Sequence, residues 1–492
     1  MLHRTIIAQA ASETISKKTE LEHLENAKTH AKIRVPAKAS IWYIASSAIS
    51  RSIGAAGTPI FTRLLTPEEY GLFPLYNTWL GIFTVIITIE LTGSVIYRGL
   101  QKYQDQKDEF ISSAFGLFLS IFTVFCALYF AFSGFVNTLS GLNTLTTSLM
   151  LVQIFANTVI GFYSGKARFE YNYKNVAILN LFSSLGIPTI SILIIFLTNI
   201  RSEARIIGSA TTMLIIGVAV LIHLIKRSSE LFNLKIWRFL LRFNLPLIPH
   251  YLASALILRI GDITIGRIFG TEALGRYSVA MSVGMSLTIV TNGLLSALSP
   301  WMLRKTRAKE FRRIRDFMLS LTKALCAFAL LILAFAPEII QILTPSEFHA
   351  ALPAVYPLEI SVIPMFISGA VMSGEMYFEK SGVSALPSVL SAALCALLSL
   401  LILPRIDYRF AALFTLMSYI LLAFLNALIF KKLSGENPIH IKKSALVFSL
   451  TSTYAVLLFL FRGVIMSRII LILPLLPALF VFATRILKEI KE

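Results

Sequence analysis

The feature that most constrains this chain is a succession of long apolar segments between residues 40 and 484. About 20 apolar residues in helical form cross the hydrocarbon core of a membrane. The strands of an outer-membrane barrel are only about 10 residues long and alternate in polarity. The sequence therefore predicts an all-α polytopic membrane protein with about 14 transmembrane helices. The predicted spans are 40–62, 71–97, 110–132, 142–163, 176–198, 206–225, 243–268, 276–303, 317–337, 353–378, 384–403, 410–430, 444–461 and 467–484.

Composition supports a membrane protein and argues against an enzyme. Of the 492 residues, 56% are hydrophobic and 14% are charged, whereas about a quarter of a soluble domain is charged. The connecting loops leave no room for a soluble catalytic domain, and the sequence contains no P-loop, HExxH motif or nucleophile elbow. Three isolated cysteines indicate neither a disulfide framework nor a metal site. We expect no enzymatic activity, no metal and no cofactor.

The distribution of basic residues predicts the orientation in the membrane. Loops after the even-numbered spans carry 23 Lys and Arg residues, far more than the alternate loops. Basic loops stay in the cytoplasm, so we expect both termini there and the protein in the inner (plasma) membrane. The net charge of +19 then reflects topology and requires no nucleic-acid partner. The most basic loop, Trp301 to Phe317, is expected to contact anionic membrane lipids; docking of a partner enzyme is the alternative.

Two short motifs recur in the same order. "FTRLLTPEEYG" (Phe61–Gly71) resembles "TIGRIFGTEALG" (Thr264–Gly275) at an offset of 204, and "SGKARFE" (Ser164–Glu170) resembles "SGEMYFE" (Ser373–Glu379) at an offset of 209. Such spacing indicates a duplicated unit. An even number of helices gives both copies the same orientation, so we expect two six-helix lobes related by a pseudo-twofold axis along the membrane normal, followed by two extra C-terminal helices.

This duplication gives a predicted domain organisation. It comprises a polar cytoplasmic tail (1–39), an N-lobe of spans 1–6 (40–225), a cytoplasmic linker (226–242), a C-lobe of spans 7–12 (243–430), spans 13–14 (443–485) and a short cytoplasmic tail (486–492).

The first copy of the repeated motif has a structural explanation. In "TPEE", Thr66 can cap the following helix, Pro67 suits its first position, and Glu69 completes a capping box. We therefore interpret the acidic residues of this motif as helix-start residues and not as catalytic groups.

Charges inside predicted spans are costly and are treated as functional candidates. Polar faces of spans 1 and 7 should look into the gap between the lobes, which makes Arg51, Arg259 and Asp262 the candidate cationic, substrate-binding cavity. Arg259 can equally form a charge-hiding i, i+3 pair with Asp262. Arg51 either pairs with an acid on another span or lines a wet cavity that accepts an anion. The candidate coupling or ion-pair acids are Glu90, Glu359 and Glu375.

Proline and glycine in the same two spans predict bends. Span 1 contains Gly54, Gly57 and Pro59, and span 7 contains Pro246 and Pro249. Such residues permit bending in membrane helices, and we expect these two helices to depart from straight more than their neighbours.

Two stretches resemble a known family. "PIFTRLLTPEEYGLFPLYNTW" and "NLPLIPHYLASALILRIGDITIGRIFGTEALGRYSVA", with fourteen spans in two lobes, are similar to the polysaccharide flippases of the multidrug/oligosaccharidyl-lipid/polysaccharide exporter superfamily. The resemblance covers roughly residues 40–480. It implies a flippase of O-antigen or capsule biosynthesis that moves a polyprenyl-pyrophosphate-linked oligosaccharide from the inner to the outer leaflet by alternating access, coupled to an ion gradient.

The resemblance also implies that cavity cations meet the pyrophosphate, which agrees with the choice of Arg51 and Arg259. Glycan polymerase or chain-length proteins are the expected partners. A drug or small-cation antiporter of the same superfamily is the alternative, although it would favour an acid where this chain has Arg51. A membrane protein without transport activity, such as a glycan polymerase, would leave the duplicated unit unexplained.

Overall fold

A computed structural model describes residues 49–474 except 51, 55, 171, 227–229 and 379–380. Every regular element in this part of the chain is helical, which confirms the predicted all-α class. The predicted N-terminal tail (1–39) and C-terminal tail (486–492) lie outside the described residues.

The described part of the first half of the chain, here called the N-terminal half, contains eight α-helices. They are α1 (56–64), α2 (Pro67–Thr88), α3 (Ser94–Lys102), α4 (Lys107–Ala131), α5 (Ser133–Ser140), α6 (Thr144–Phe169), α7 (Tyr173–Leu197) and α8 (Ala204–Ile225). Helix α9 (Leu234–Asn244) follows and occupies most of the segment predicted as a linker.

The next set of helices, here called the C-terminal half, comprises α10 to α16. They are α10 (Ile248–Ile268), α11 (Gly270–Gly284), α12 (Thr288–Arg307), α13 (Phe311–Leu343), α14 (Leu352–Glu375), α15 (Ser381–Leu397) and α16 (Ala411–Ser434). Two more helices, α17 (Ile441–Leu460) and α18 (Ile465–Ile472), close the described chain.

Eleven helices in the described residues are long and apolar enough to cross a membrane, and a bent pair brings the number to 12. The first and last predicted spans, 40–62 and 467–484, lie partly outside the described residues. The predicted total of fourteen therefore stays a prediction.

The second predicted span, 71–97, ends earlier than the sequence indicated. Helix α2 stops at Thr88 because Ile89 and Glu90 adopt left-handed backbone conformations, with φ of 47° and 53°. A short separate helix, α3, then covers Ser94–Lys102. Apolar composition alone did not reveal this turn.

The start of α2 confirms the capping interpretation of the repeated motif. The Thr66 hydroxyl accepts a hydrogen bond from the Glu69 backbone N–H at 3.3 Å, and the Glu69 carboxylate accepts one from the Thr66 N–H at 2.9 Å. Pro67 occupies the first turn, where a missing N–H costs nothing.

A break that the sequence did not indicate lies in the eighth predicted span, where helices α11 and α12 meet at an angle of 50°. We expected bends in spans 1 and 7. Near Pro246 the chain forms a 3-10 turn, Leu245–Leu247, between α9 and α10. Span 1 is only partly described, so its predicted bend stays a prediction.

Successive long helices run in opposite directions, so the connections between them alternate between two faces of the molecule. We call the face with the α12–α13 junction (Arg304–Arg315) the basic face and the face with the α1–α2 junction the opposite face. The two halves pack largely within themselves: α6, α7 and α8 pack on one another, and α14 packs against α12, α13 and α16. Helix α2 is the main bridge, because it packs against both α10 and α11.

Candidate functional site

The predicted Arg259–Asp262 pair forms within α10. The Arg259 Nη1 atom lies 3.4 Å from Asp262 Oδ2, so the i, i+3 pair that the sequence allowed is present. Asp262 is 2% exposed, and 34% of the Arg259 side chain remains accessible. The pair therefore does not enclose the Arg259 side chain completely.

Asp262 also connects the two halves of the protein. Its Oδ2 atom accepts a hydrogen bond from the Thr78 hydroxyl of α2 at 3.0 Å, while its Oδ1 atom has no hydrogen-bond partner among the described residues. A buried carboxylate oxygen without a partner is costly. The site can therefore take a proton, a water molecule or a cationic group at Oδ1.

Arg51, the other predicted cavity cation, lies outside the described residues. Its neighbour Ser50 donates a hydrogen bond to the Asn180 carbonyl oxygen of α7 at 3.4 Å. The proposed meeting of Arg51 with Glu90 or Glu359 stays a prediction.

The three candidate acids lie outside α10, one in the turn after α2 and two in α14. Glu90 occupies the left-handed turn after α2, where its carbonyl oxygen accepts from Gly93 N–H at 2.9 Å. Burial raises the pKa of the Glu90 carboxyl. Its position outside a regular helix corrects the prediction that it lies within the second span.

Glu359 lies inside α14, with 0% exposure. Its polar neighbours are the Ser286 side chain and the Leu287 backbone, which form the break between α11 and α12. The described residues offer neither of its oxygens a well-formed hydrogen bond. The buried acid is thus placed beside the 50° break between α11 and α12. Glu375 is also buried, at the last residue of α14.

A close contact between α2 and α11 joins the halves at the opposite face. A Cβ atom on Gly71 would overlap with the Thr271 carbonyl oxygen and lie 2.9 Å from Gly275 N. A Cβ atom on Gly275 would overlap with the Pro67 carbonyl oxygen and lie 3.1 Å from Gly71 N. Only glycine permits this approach, because any other residue places an atom inside the neighbouring backbone.

A second set of contacts strengthens the junction at the opposite face. The Arg63 guanidinium donates to the carbonyl oxygens of Ile342 at 2.9 Å and Leu343 at 3.4 Å, at the end of α13. The rings of Tyr70 and Phe348 meet edge to face at 5.6 Å. Helices α1 and α2 are therefore held against the C-terminal half at this face.

The half-buried cation Arg205 was not identified as a candidate from the sequence. The Arg205 guanidinium of α8 lies over the rings of Phe61, Tyr70 and Phe73, at 4.7, 4.6 and 4.1 Å from their centroids. Nearby, Arg201 pairs with Glu69 at 3.1 Å. The sequence predicted Arg205 in the loop just before the span 206–225. The aromatic residues lie far from it along the chain, so their contact with it was not predicted.

The described residues contain no group of three or more His, Cys, Asp or Glu side chains that could hold a metal ion. The polar groups described above are suited to binding charged groups and to proton exchange.

The fold defines an all-helical, multi-pass membrane protein. A family model described as "Polysaccharide biosynthesis protein" matches residues 37–305. The chain belongs to this polysaccharide biosynthesis protein family. Comparison with curated protein sequences finds no match.

Solved structures share the fold at low sequence identity. The structure is similar to lipid II flippase MurJ in an inward closed conformation, with a TM-score of 0.70 and 13% identity, covering 92% of this chain and 100% of that chain. It is similar to an inward-facing multidrug resistance MATE family transporter of the MOP superfamily, with a TM-score of 0.62, 11% identity, and coverage of 80% and 95%. An outward-facing MATE family transporter of the same superfamily gives a TM-score of 0.54 at 14% identity, with coverage of 83% and 96%. These similarities establish the MurJ/MATE-like fold.

Proposed function

We propose that this protein is a flippase that moves a polyprenyl-pyrophosphate-linked oligosaccharide across the membrane by alternating access between its two halves. The observation that carries the proposal is the Thr78–Asp262 contact between the halves, beside a half-buried Arg259. Membership of a polysaccharide biosynthesis family and a fold shared with a lipid II flippase support the choice of a lipid-linked glycan. The proposal assigns transport and no catalysis.

Arg259 suits the pyrophosphate because its guanidinium can form two parallel hydrogen bonds to phosphate oxygens. Its partner Asp262 holds it in place while a third of the side chain stays accessible. In this proposal Arg51 supplies a second cation from the first span. Two cations match the two or more negative charges of a pyrophosphate better than one.

The proposed movement uses the junction at the opposite face. Reciprocal packing of Gly71 and Gly275 holds the two halves together there. Opening this contact would expose the Arg259–Asp262 pair to the other leaflet. We assign the basic face to the cytoplasm, by the positive-inside rule. The offset of 204 between the two glycines supports two related lobes, 40–225 and 243–430, although loop lengths differ between them.

Coupling to an ion gradient is part of the proposal. Asp262 Oδ1 and the Glu359 carboxyl, both buried, are the candidates for proton or cation exchange. Glycan polymerase or chain-length proteins are the proposed partners on the glycan pathway.

The test is reconstitution into vesicles loaded on one leaflet with a labelled polyprenyl-pyrophosphate oligosaccharide. A membrane-impermeant glycan-modifying enzyme reports arrival in the other leaflet. We expect Arg259→Gln to slow flipping about tenfold, as loss of one charge-assisted contact predicts. The matched control Arg405→Gln changes an exposed arginine in the 3-10 turn Leu403–Arg405, between α15 and α16. Flipping at the wild-type rate in Arg259→Gln would contradict the assigned role.

The drug or small-cation antiporter remains the second candidate, because the MATE family transporters share the fold. The same vesicles test this candidate when a lipophilic cation such as ethidium is added and a pH gradient is imposed. Gradient-driven cation movement without flipping of the lipid-linked glycan would favour the antiporter.

A further inference from the structure

A groove of about 570 Å³ lies at the opposite face between α14, α16 and α17. It is far along the chain from the Arg259–Asp262 pair, and no group assigned to transport lines it. We call it the rim groove. Its lining changes from apolar to polar along its length. Its lining includes Tyr356, Pro357, Arg409, Leu413, Ser452 and Arg462.

The apolar part suits a hydrocarbon chain. Pro357, Leu413 and Val456 contribute apolar surface from three different helices, and Leu413 and Val456 are 39% and 56% exposed. These side chains belong to helices long and apolar enough to cross a membrane, so we infer that their exposed surface contacts the acyl chains of the bilayer. An acyl chain can therefore enter the groove from the bilayer without crossing a polar barrier.

The polar end carries one cation without a compensating carboxylate. Arg409 makes a bidentate ion pair with Asp407, with both distances at 2.7 Å, so its charge is balanced. Arg462 stacks over the Phe459 ring at 4.3 Å and donates to the Phe459 carbonyl oxygen at 3.1 Å. It pairs with no carboxylate among the described residues. Nearby Arg468 is neutralised by Glu338 at 2.7 Å.

A buried hydroxyl supplies the second polar feature. Tyr356 is 5% exposed and lines the groove, yet its hydroxyl has no hydrogen-bond partner in the described part of the chain. Its ring is fixed edge to face against Phe459 at 5.3 Å. A buried hydroxyl normally finds a partner, so this group is available as a donor to a bound ligand.

We propose that the rim groove binds one anionic phospholipid, with its phosphate near Arg462 and the Tyr356 hydroxyl and one acyl chain against Leu413 and Val456. The charge balance favours an anionic phospholipid over a pyrophosphate lipid. One uncompensated guanidinium matches a phosphodiester with a single negative charge, whereas a pyrophosphate lipid carries at least two. The groove is thus a lipid site separate from the proposed route of the lipid-linked glycan.

Native mass spectrometry of the full-length protein in detergent tests the proposal. Phosphatidylglycerol, phosphatidylethanolamine and a polyprenyl phosphate are added separately and then in competition. We expect phosphatidylglycerol to be retained in preference to the other two. Arg462→Gln should weaken its binding about tenfold, because a hydrogen bond to a charged group is lost. Tyr356→Phe should weaken it several-fold while keeping the ring packing.

Matched variants separate binding from folding. Arg405→Gln removes an exposed arginine at the same face that does not line the groove, and it should bind like wild type. Ser452→Trp should fill the groove and abolish retention while the melting temperature stays within a few degrees of wild type. Undiminished phosphatidylglycerol binding in Arg462→Gln and Tyr356→Phe would overturn the proposal. Equal retention of phosphatidylethanolamine, or displacement by polyprenyl phosphate, would also overturn the assignment to an anionic phospholipid.

Discussion

Gly71 and Gly275 lie face to face across the contact between α2 and α11, and each is closed in by the backbone around the other. The carbonyl oxygen nearest Gly71 belongs to Thr271, and the one nearest Gly275 belongs to Pro67. Gly71 and Gly275 are 204 residues apart in the sequence, and so are Pro67 and Thr271; this is the offset found between the repeated motifs. The contact is therefore reciprocal, as a duplicated unit would produce, and it uses the motif that the sequence repeats.

Gly71→Ala should open this junction, because a methyl group there overlaps with backbone that cannot move aside alone. Spin labels at exposed Glu68 and Glu272 should report a longer or broader distance distribution by double electron–electron resonance. Gly81→Ala is the matched control, since nothing lies within 4 Å of its Cβ position on the same helix. An unchanged distribution in Gly71→Ala would contradict the proposed closing contact.

The sequence predicted the elements of this junction but not their pairing. Thr66, Pro67 and Glu69 were recognisable as a helix start because capping is a local property. The Arg259–Asp262 pair was also local, at i, i+3 spacing. That the two glycines meet could not be predicted, because close approach depends on how two distant helices pack.

Features without a local signal were missed or misplaced. Glu90 was predicted inside a span, since apolar residues continue past Thr88 and hide the left-handed turn. The 50° break between α11 and α12 was not predicted, because no proline marks that position. The aromatic surroundings of Arg205 come from α1 and α2, about 130 residues or more away along the chain.

Removing one partner of the Arg259–Asp262 pair should destabilise the protein more than removing both. Loss of one member of a fully buried pair costs about 3–5 kcal/mol, and the exposed third of Arg259 reduces this to about 1–2 kcal/mol. We expect Arg259→Gln to lower the melting temperature and Arg259→Gln with Asp262→Asn to recover part of the loss. Strictly additive losses in this double-mutant cycle would show that the pair contributes no coupling.

Glu90 should make stability depend on pH. Its pKa is raised in the folded protein by burial, so its stabilising contribution is present at acidic pH and is lost as the pH rises through the folded pKa. Glu90→Gln should therefore raise the melting temperature relative to wild type at pH 7. The difference should vanish below the ordinary glutamate pKa of about 4.3. Exposed Glu347→Gln is the control, and a pH-independent difference at Glu90 would refute the prediction.

The predicted orientation can be tested with single cysteines and an impermeant thiol reagent in intact cells. Cysteines at Glu347 and Arg405, both exposed at the opposite face, should be labelled, whereas one at exposed Lys309 should not. Thr344 is a poor probe because it is buried. The native Cys326 and Cys395 are buried, and replacement of half-buried Cys126 removes the remaining background. Labelling at Lys309 alone would reverse the assignment of faces.

Arg51 gives the sharpest functional prediction, although it lies outside the described residues. A guanidinium grips phosphate oxygens at two points and keeps its charge when buried, whereas lysine keeps the charge but loses the two-point contact. We expect Arg51→Ala to abolish surface glycan while the amount of protein in the membrane stays normal, and Arg51→Lys to be partly active. Arg259→Ala should also be impaired, and less so when Asp262 is neutralised with it. Normal surface glycan in Arg51→Ala at wild-type expression would disprove the cationic-cavity mechanism, while loss of the protein itself would favour a structural ion pair with Glu90 or Glu359.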